Sequence, residues 1–233
     1  MRIVFLLLSA LLLLSCSPKE PLYNTQSYVF GTLVDISIYG ETDERAQAVS
    51  NGIIQQYHAL HQRLHAWKPS ELSAINQAFS AGKSITIKPD IAQILRDATA
   101  LSTQSEGAFN PAIGQLIKLW GFQNDTFIPH QADENAVTTL ASKNPKMSDI
   151  VINGNEIYSN NPAVQLDLGG YAKGYALDIG LTYLTEQNIK HALINIGGNI
   201  IALGQHGDKP WRVGIQHPRQ PNAIATLALP SGW

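Results

Sequence analysis

The stretch VQLDLGGYAKGYALD, residues 164–178, joins two kinds of pattern. An apolar, strand-like run leads into Asp167, a Gly169-Gly170 pair follows, and a helix-like segment then carries Lys173 in its first turn. A carboxylate at a strand end and two glycines allow a ligand to approach the backbone closely. The helix that follows directs its free N–H groups and the positive end of its dipole to the same place. These features predict a ligand-binding turn. Neither GxGxxG nor GxxxxGK(S/T) occurs in the chain, so neither of the two common phosphate cradles is on offer.

The surroundings of this turn set the fold class. Downstream, the helix runs to about residue 189. ALINIGGNIIALG (192–204) then reads as two strands pivoting on Gly197-Gly198, and PWRVGIQHP (210–218) and AIATLALP (223–230) add further strands. Upstream, DIVINGNEIYSN (149–160) is a hairpin around Asn153-Gly154. Residues 132–142 form a helix, and PAIGQLIKLWGF (111–122) forms another with Pro111 at its first position. Residues 89–105 place Ile91, Ile94, Leu95, Ala98 and Leu101 on one helical face, ended by Gly107. KSITIK (83–88) is a short strand. PSELSAINQA (69–78) starts a helix at the N-cap Ser70, with Ser73 in place of the Glu or Gln that completes a capping box. Residues 42–65 carry apolar side chains at three- and four-residue spacings from Ala46 to Leu64, the mark of a long amphipathic helix. SYVFGTLVDISIYG (27–40) alternates as a strand interrupted by Gly31. Helices gather in the first half and strands in the second, with no internal repeat. This order predicts an α+β fold with a mainly antiparallel second half, not a doubly wound parallel sheet.

Bulk properties narrow the classes of function. The chain has 233 residues, 44% hydrophobic and 15% charged, with a net charge of -2. That composition describes a folded protein and supplies no basic patch for nucleic acid. The N-terminal MRIVFLLLSALLLLSC has one basic residue and an apolar run shorter than the ~20 residues of a spanning helix, which fits a secretory signal over residues 1–15. Cys16 is the only cysteine, and the Leu-Leu-Ser-Cys ending resembles a lipobox, in which Cys16 becomes lipidated. A single thiol used in this way explains an exported domain without a disulfide. Residues 16–27 then read as the lipidated Cys and a polar tether, and residues 28–233 as the folded domain. The expected location is the bacterial cell envelope, lipid-anchored to a membrane and facing the periplasm.

Four groups of residues are candidates for chemistry. Asp167 and Lys173 flank the glycine pair; taken singly, a helix-end acid and a solvated lysine explain them as well. EGAFNPAIG (106–114) places Ala108, Phe109 and Asn110 in a loop between two helices, where Asn110 either caps the second helix or meets a ligand. Phe30 and Trp67 stand beside breaks in secondary structure, where aromatic residues serve as core or as a stacking face. His58, His61 and His65 share one helical stripe, a spacing compatible with zinc, but no acidic or cysteine ligand lies nearby. No Ser/His/Asp order or glycosidase carboxylate pair stands out.

Six segments taken together resemble the ApbE family of flavin transferases (FAD:protein FMN transferases). They are FGT (30–32), AWKPSELSAIN (66–76), EGAFNPAIGQLIKLWGF (106–122), VQLDLGGYAKGYALD, ALINIGGNIIALG and PWRVGIQHP, in the family's order. The resemblance implies binding of FAD with Mg²⁺. It also implies transfer of FMN to a threonine of a target flavoprotein in a membrane electron-transfer complex, with release of AMP. By position, it places the family's Met-Gly-Thr contact at Phe30 and its ring-stacking tyrosine at Trp67. The Ala-Phe-Asp contact falls at Ala108, Phe109 and Asn110, so an amide stands where the family has a carboxylate. Asp167 and Lys173 match the flavin-binding acid and its partner, and Gly170 matches the residue whose backbone carbonyl meets the metal.

The family's other metal ligands lie beyond a His-Ile-x-Asp-Pro segment that this sequence does not contain. The expectation is therefore a chain that holds the flavin cradle but lacks most of the metal site. Phosphoryl transfer depends on charge stabilisation that one lysine cannot supply. An exported flavin-binding lipoprotein and a periplasmic FAD pyrophosphatase giving FMN and AMP remain alternatives to the transferase.

Overall fold

The computed structural model describes residues 21–124, 126 and 129–230. Cys16 and the signal segment 1–15 lie outside the described residues. The order is β1 (Leu22–Val29), β2 (Thr32–Tyr39), α1 (Asp43–Arg63), α2 (Glu71–Ser80), β3 (Ile85–Thr86), α3 (Pro89–Gln104), α4 (Gly114–Leu119) and α5 (Glu134–Ser142). A 3₁₀ turn (Met147–Asp149) precedes β4 (Ile150–Asn153), β5 (Glu156–Ser159), α6 (Gly169–Glu186), β6 (Ala192–Ile196), β7 (Asn199–Leu203), β8 (Trp211–Gln216) and β9 (Ala223–Leu229). The α+β reading holds, with helices early and antiparallel strands late. No described helix is long and apolar enough to cross a membrane.

The described chain divides into two compact units. The first takes in Leu33–Ile53 and the described parts of Met1–Tyr28 and Ile179–Trp233. Its sheet has the order β1-β2-β6-β7, with β2 antiparallel to β6 from Val34–Ile196 to Ile38–Ala192. Alternation along β2 buries Val34, Ile36 and Ile38 completely, each contributing about 1.5–3 kcal/mol. Gly52 of α1 gives room to the Tyr183 ring of α6, which any Cβ at that position would strike. Among the described residues β8 and β9 pair only with each other, and Ile215, Ile224 and Leu227 are exposed. Residues 22–27, expected to be tether, are instead most of β1. Gln26 Nε2 donates to Asp35 and Ser37 Oγ donates to Asn24, so polar side chains join the first two strands.

The second unit comprises Val29–Thr32 and Ile54–Asp178. Its core gathers Tyr57, Leu72, Ile75, Phe79, Ile91, Ile94, Leu95 and Ile157, all fully or almost fully buried. Arg63 at the end of α1 braces the starts of α2 and α3. It donates to both Glu71 oxygens (2.7 and 3.3 Å) and both Asp90 oxygens (2.6 and 2.9 Å). These bonds hold both carboxyls below their ordinary range. Ser73 does complete a capping box: Ser70 Oγ accepts the Ser73 N–H and Ser73 Oγ accepts the Ser70 N–H, both at 2.9 Å. A hydroxyl reaches the N-cap backbone as well as a carboxylate does.

Two expectations near the opening stretch are corrected. Residues 164–167 form no strand. They make a single parallel bridge, Gln165 with Ile113, and the Gln165 and Asp167 N–H groups donate to the Ala112 and Pro111 carbonyls. Pro111 accordingly lies outside α4, which begins at Gly114. The Pro111 and Ala112 carbonyls accept bonds from residues 167 and 165 instead of opening a helix. Gly114 is required there, because a Cβ would lie 2.6 Å from the Gln165 carbonyl oxygen.

Candidate functional site

Asp167 sits between the buried side chains of Leu166 and Leu168, which hold its backbone in place. Its Oδ1 accepts the Gly169 N–H at 3.0 Å, and its Oδ2 accepts the Gln123 side-chain N–H at 2.9 Å. The carboxylate therefore occupies the N-terminal end of α6 itself. Tyr171 and Ala172 N–H groups turn back onto the Leu168 carbonyl (2.9 and 2.8 Å). The free helix end expected from the sequence is thus largely satisfied from within. What it presents outward is a fixed, acceptor-only carboxylate, suited to N–H and O–H donors and unsuited to a phosphate placed directly against it. Lys173 starts the second turn of α6, one step beyond the expected first. It has no ion-pair partner among the described residues, so its charge is available to an anion.

Asn76 of α2 fixes this turn from behind. Its Oδ1 accepts the Leu166 N–H at 2.7 Å and its Nδ2 donates to the Leu166 carbonyl at 2.9 Å, with Asn76 and Leu166 both buried. One amide side chain thereby mimics a strand neighbour for the residue before Asp167. The sequence did carry a signal for it. Asn76 falls on the same helical stripe as Leu72, Ile75 and Phe79, and a polar residue on an apolar face needs partners.

The loop 106–114 departs from α3 through two left-handed residues, Glu106 (φ 53°) and Gly107 (φ 83°). The Phe109 N–H then donates to Ser105 Oγ at 3.0 Å. The Phe109 ring meets Gly170 closely, since a Cβ added there would lie 3.5 Å from the ring. Phe109, Gly170, Tyr171, Tyr175, Leu101 and Asp178 are among the residues lining a groove of about 530 Å³. Asp178 is its acid. Burial, aided by Asp97, Tyr175 and Asp178, pushes the Tyr171 hydroxyl up to about 12, so it stays a donor.

Asn110 is committed to its own loop. Its Oδ1 accepts the Ala112 N–H at 3.1 Å and its Nδ2 donates to the Pro145 carbonyl at 2.9 Å. A carboxylate cannot make the second bond, which gives a local reason for Asn over Asp. Asn110→Asp is expected to lower the unfolding free energy by about 1–2 kcal/mol, because an anionic oxygen would face the Pro145 carbonyl. Urea unfolding at neutral pH checks this, and a shift below half of that range counts against the account.

Phe30 and Trp67 stand at two ends of one row of rings. Phe30 (φ 55°) and Gly31 (φ 72°) form the two-residue turn between β1 and β2. A bulky residue in the left-handed region costs roughly 1–2 kcal/mol. Ring contacts repay that placement: Phe30 lies 5.9 Å from Tyr57 and 5.6 Å, edge-on, from His61. His61 lies 5.1 Å from His65, and His65 lies 4.4 Å from Trp67 in a T-shaped contact. His61 is held below its usual range by burial, then by His58 and Lys68. Two of the three stripe histidines, His61 and His65, thus lie between Phe30 and Trp67. Among the described residues no group of three or more His, Cys, Asp or Glu is placed to hold a metal. Trp67 is 43% exposed and borders a hollow of about 370 Å³ at the start of α2. From Ser70 to Asn76, α2 rises about 9 Å, so the aromatic row and the Asp167 turn hang on two ends of one short helix.

The ApbE family model matches residues 30–232, nearly all of the described chain. The chain belongs to the ApbE family. Its ApbE relatives include a protein of Rhodobacter capsulatus named FAD:protein FMN transferase, 39% identical over 205 residues. That match covers 88% of this chain and 39% of the relative. A Klebsiella pneumoniae protein of the same name is 32% identical over 199 residues, covering 84% of this chain and 59% of the relative. The chain therefore spans between two fifths and three fifths of the length of these two relatives. Among solved structures, the ApbE protein of Thermotoga maritima superposes with a TM-score of 0.79 at 23% identity, covering 91% of this chain and 69% of that one. The Vibrio cholerae flavin transferase ApbE gives 0.77 at 22% identity, covering 91% and 70%. At such identity, the likeness establishes the ApbE fold.

The described residues fit an FAD-like ligand but do not by themselves fit a magnesium ion. Beside Asp167, the Gln123 Oε1 is buried without a hydrogen-bond partner among the described residues, a polar atom that the turn leaves unsatisfied. Magnesium takes about six oxygens in near-octahedral order. Asp167 offers one carboxylate and Gly170, in the first turn of α6, one backbone carbonyl, fewer oxygens than such a site takes.

Proposed function

We propose that this chain binds FAD and serves transfer of its FMN half to a threonine of a target flavoprotein, releasing AMP. The observation that carries the reading is the Asp167 turn. It presents an acceptor-only carboxylate fixed by Gly169 and Gln123, and Lys173, without an ion-pair partner among the described residues, lies in the next turn of the same helix. The names of the relatives in this family support the same activity. In this reading Trp67 and Phe30 offer aromatic faces to the flavin ring. Asp167 accepts hydrogen bonds from donor groups of the flavin half, and Lys173 meets phosphate charge. The described residues do not by themselves complete a magnesium site. We further infer from residues 1–16 alone that Cys16 anchors the protein in the cell envelope on the periplasmic side.

The test mixes purified protein with FAD, Mg²⁺ and a threonine-bearing acceptor flavoprotein. Quenched flavin emission on binding and covalent flavin on the acceptor are the expected results. Free FMN and AMP without labelled acceptor would make the protein a pyrophosphatase. Intact bound FAD would make it a flavin-binding protein. No binding at all would overturn the flavin reading.

A further inference from the structure

We propose that His65 is a positioning residue for Trp67, presetting the indole plane on which a flavin ring stacks. The ligand named here rests on the flavin reading above; the positioning itself does not.

Trp67 is an exposed indole on a short turn between α1 and α2, a place where an aromatic side chain would ordinarily sample several rotamers. His65 removes that freedom in two ways. Its ring abuts the indole in a T-shaped contact at 4.4 Å, with interplanar angle 75°. Its Nδ1 accepts the Lys68 N–H at 3.2 Å and, at the long limit of 3.5 Å, the Trp67 N–H. Backbone N–H groups can only donate, so Nδ1 must be the acceptor and the neutral ring carries its proton on Nε2. The same residue closes the turn from its main chain, because the His65 carbonyl accepts Ser70 Oγ–H at 2.6 Å. Ser70 is in turn the N-cap of α2.

The far side of His65 is fixed as well. His65 is 9% exposed, and its ring rests against His61, which rests against Phe30. The order Phe30–His61–His65–Trp67 is therefore a continuous support whose two ends are the residues that resemblance places on the flavin. A ring held in its bound orientation before the ligand arrives loses less entropy on binding. His65 would raise affinity in this way without touching the ligand.

Two measurements on the full chain test the assignment. Trp67's indole N–H resonance, identified as the ¹⁵N–¹H peak missing in Trp67→Phe, reports ring placement without any ligand. FAD titration, followed by flavin emission, reports affinity. In His65→Ala the Trp67 resonance should move towards that of an exposed indole, and FAD affinity should fall about tenfold. His65→Asn restores an acceptor near the Nδ1 position but no ring edge, and should recover part of both losses. Thermal unfolding of each variant confirms that the compared proteins are folded. An unmoved Trp67 resonance in folded His65→Ala overturns the proposal. So does unchanged FAD affinity in His65→Ala when Trp67→Ala weakens binding. If wild-type protein binds no FAD, the flavin reading fails, and the Trp67 resonance alone decides the positioning role.

Discussion

Asn76→Leu should lower the unfolding free energy by about 3 kcal/mol, a large share of the 5–15 kcal/mol available to an ordinary domain. Leucine has nearly the shape of asparagine, so no large cavity opens and the volume of the site is kept. The loss is polar. The Leu166 N–H and carbonyl, bonded to Asn76 at 2.7 and 2.9 Å, would both be left buried without partners. Each such group costs about 1–3 kcal/mol, and the added apolar burial of leucine offsets part of the sum. Urea unfolding should show a lower midpoint with an unchanged slope, because the surface exposed on unfolding is the same. A loss under 1 kcal/mol would mean that the 164–168 segment keeps its path without the clamp. The same variant should also bind FAD poorly under conditions where it remains folded, since Asp167 follows Leu166 directly in the chain.

Much of the fold could be read from local pattern because much of it is local. The long α1 helix, the Asn153-Gly154 hairpin and the strand pair around Gly197-Gly198 each close over a few residues, and each appears where period and turn chemistry place it. The pairing of β2 with β6 joins residues about 160 positions apart, and nothing in either strand names the other. Residues 22–27 of β1 read as tether in the sequence because they are mostly polar and do not strictly alternate. Its strand character comes from β2, which supplies the partner that Asn24 and Gln26 reach. Pro111 looked like a helix start and is not, because the neighbouring segment 165–167 claims the carbonyls around it. In each miss, a partner distant in sequence overrode a local preference.

Of the candidate residues, the sequence indicates the types, and the fold decides which are neighbours. Asp167, Phe109 and Gly170 do share one region, and Phe30 and Trp67 do share one row of rings. The roles of Asn76, Gln123, His61 and His65 depend on contacts that no spacing encodes. Asn110 illustrates the converse: its identity makes sense through the Pro145 carbonyl, which only the folded chain brings within reach.

Asp167→Ala is expected to weaken FAD binding by about 10- to 100-fold, the range of one hydrogen bond to a charged group. The difficulty is that Asp167 also caps α6 and holds Gln123, so alanine removes structure together with charge. Cap loss alone should cost about 1 kcal/mol of stability. Asp167→Asn separates the two effects. An asparagine oxygen still accepts the Gly169 N–H, and its amide N–H can donate to Gln123 once the Gln123 amide turns over, using the Oε1 that now lacks a partner. Stability of Asp167→Asn should therefore stay near wild type while its FAD affinity still falls about tenfold, because a charged acceptor has become a neutral one. Flavin emission titrations and urea unfolding on both variants give the four numbers needed. If asparagine restores affinity as well as stability, the carboxylate acts only as a helix cap. If alanine leaves affinity unchanged, Asp167 is not in the flavin site at all.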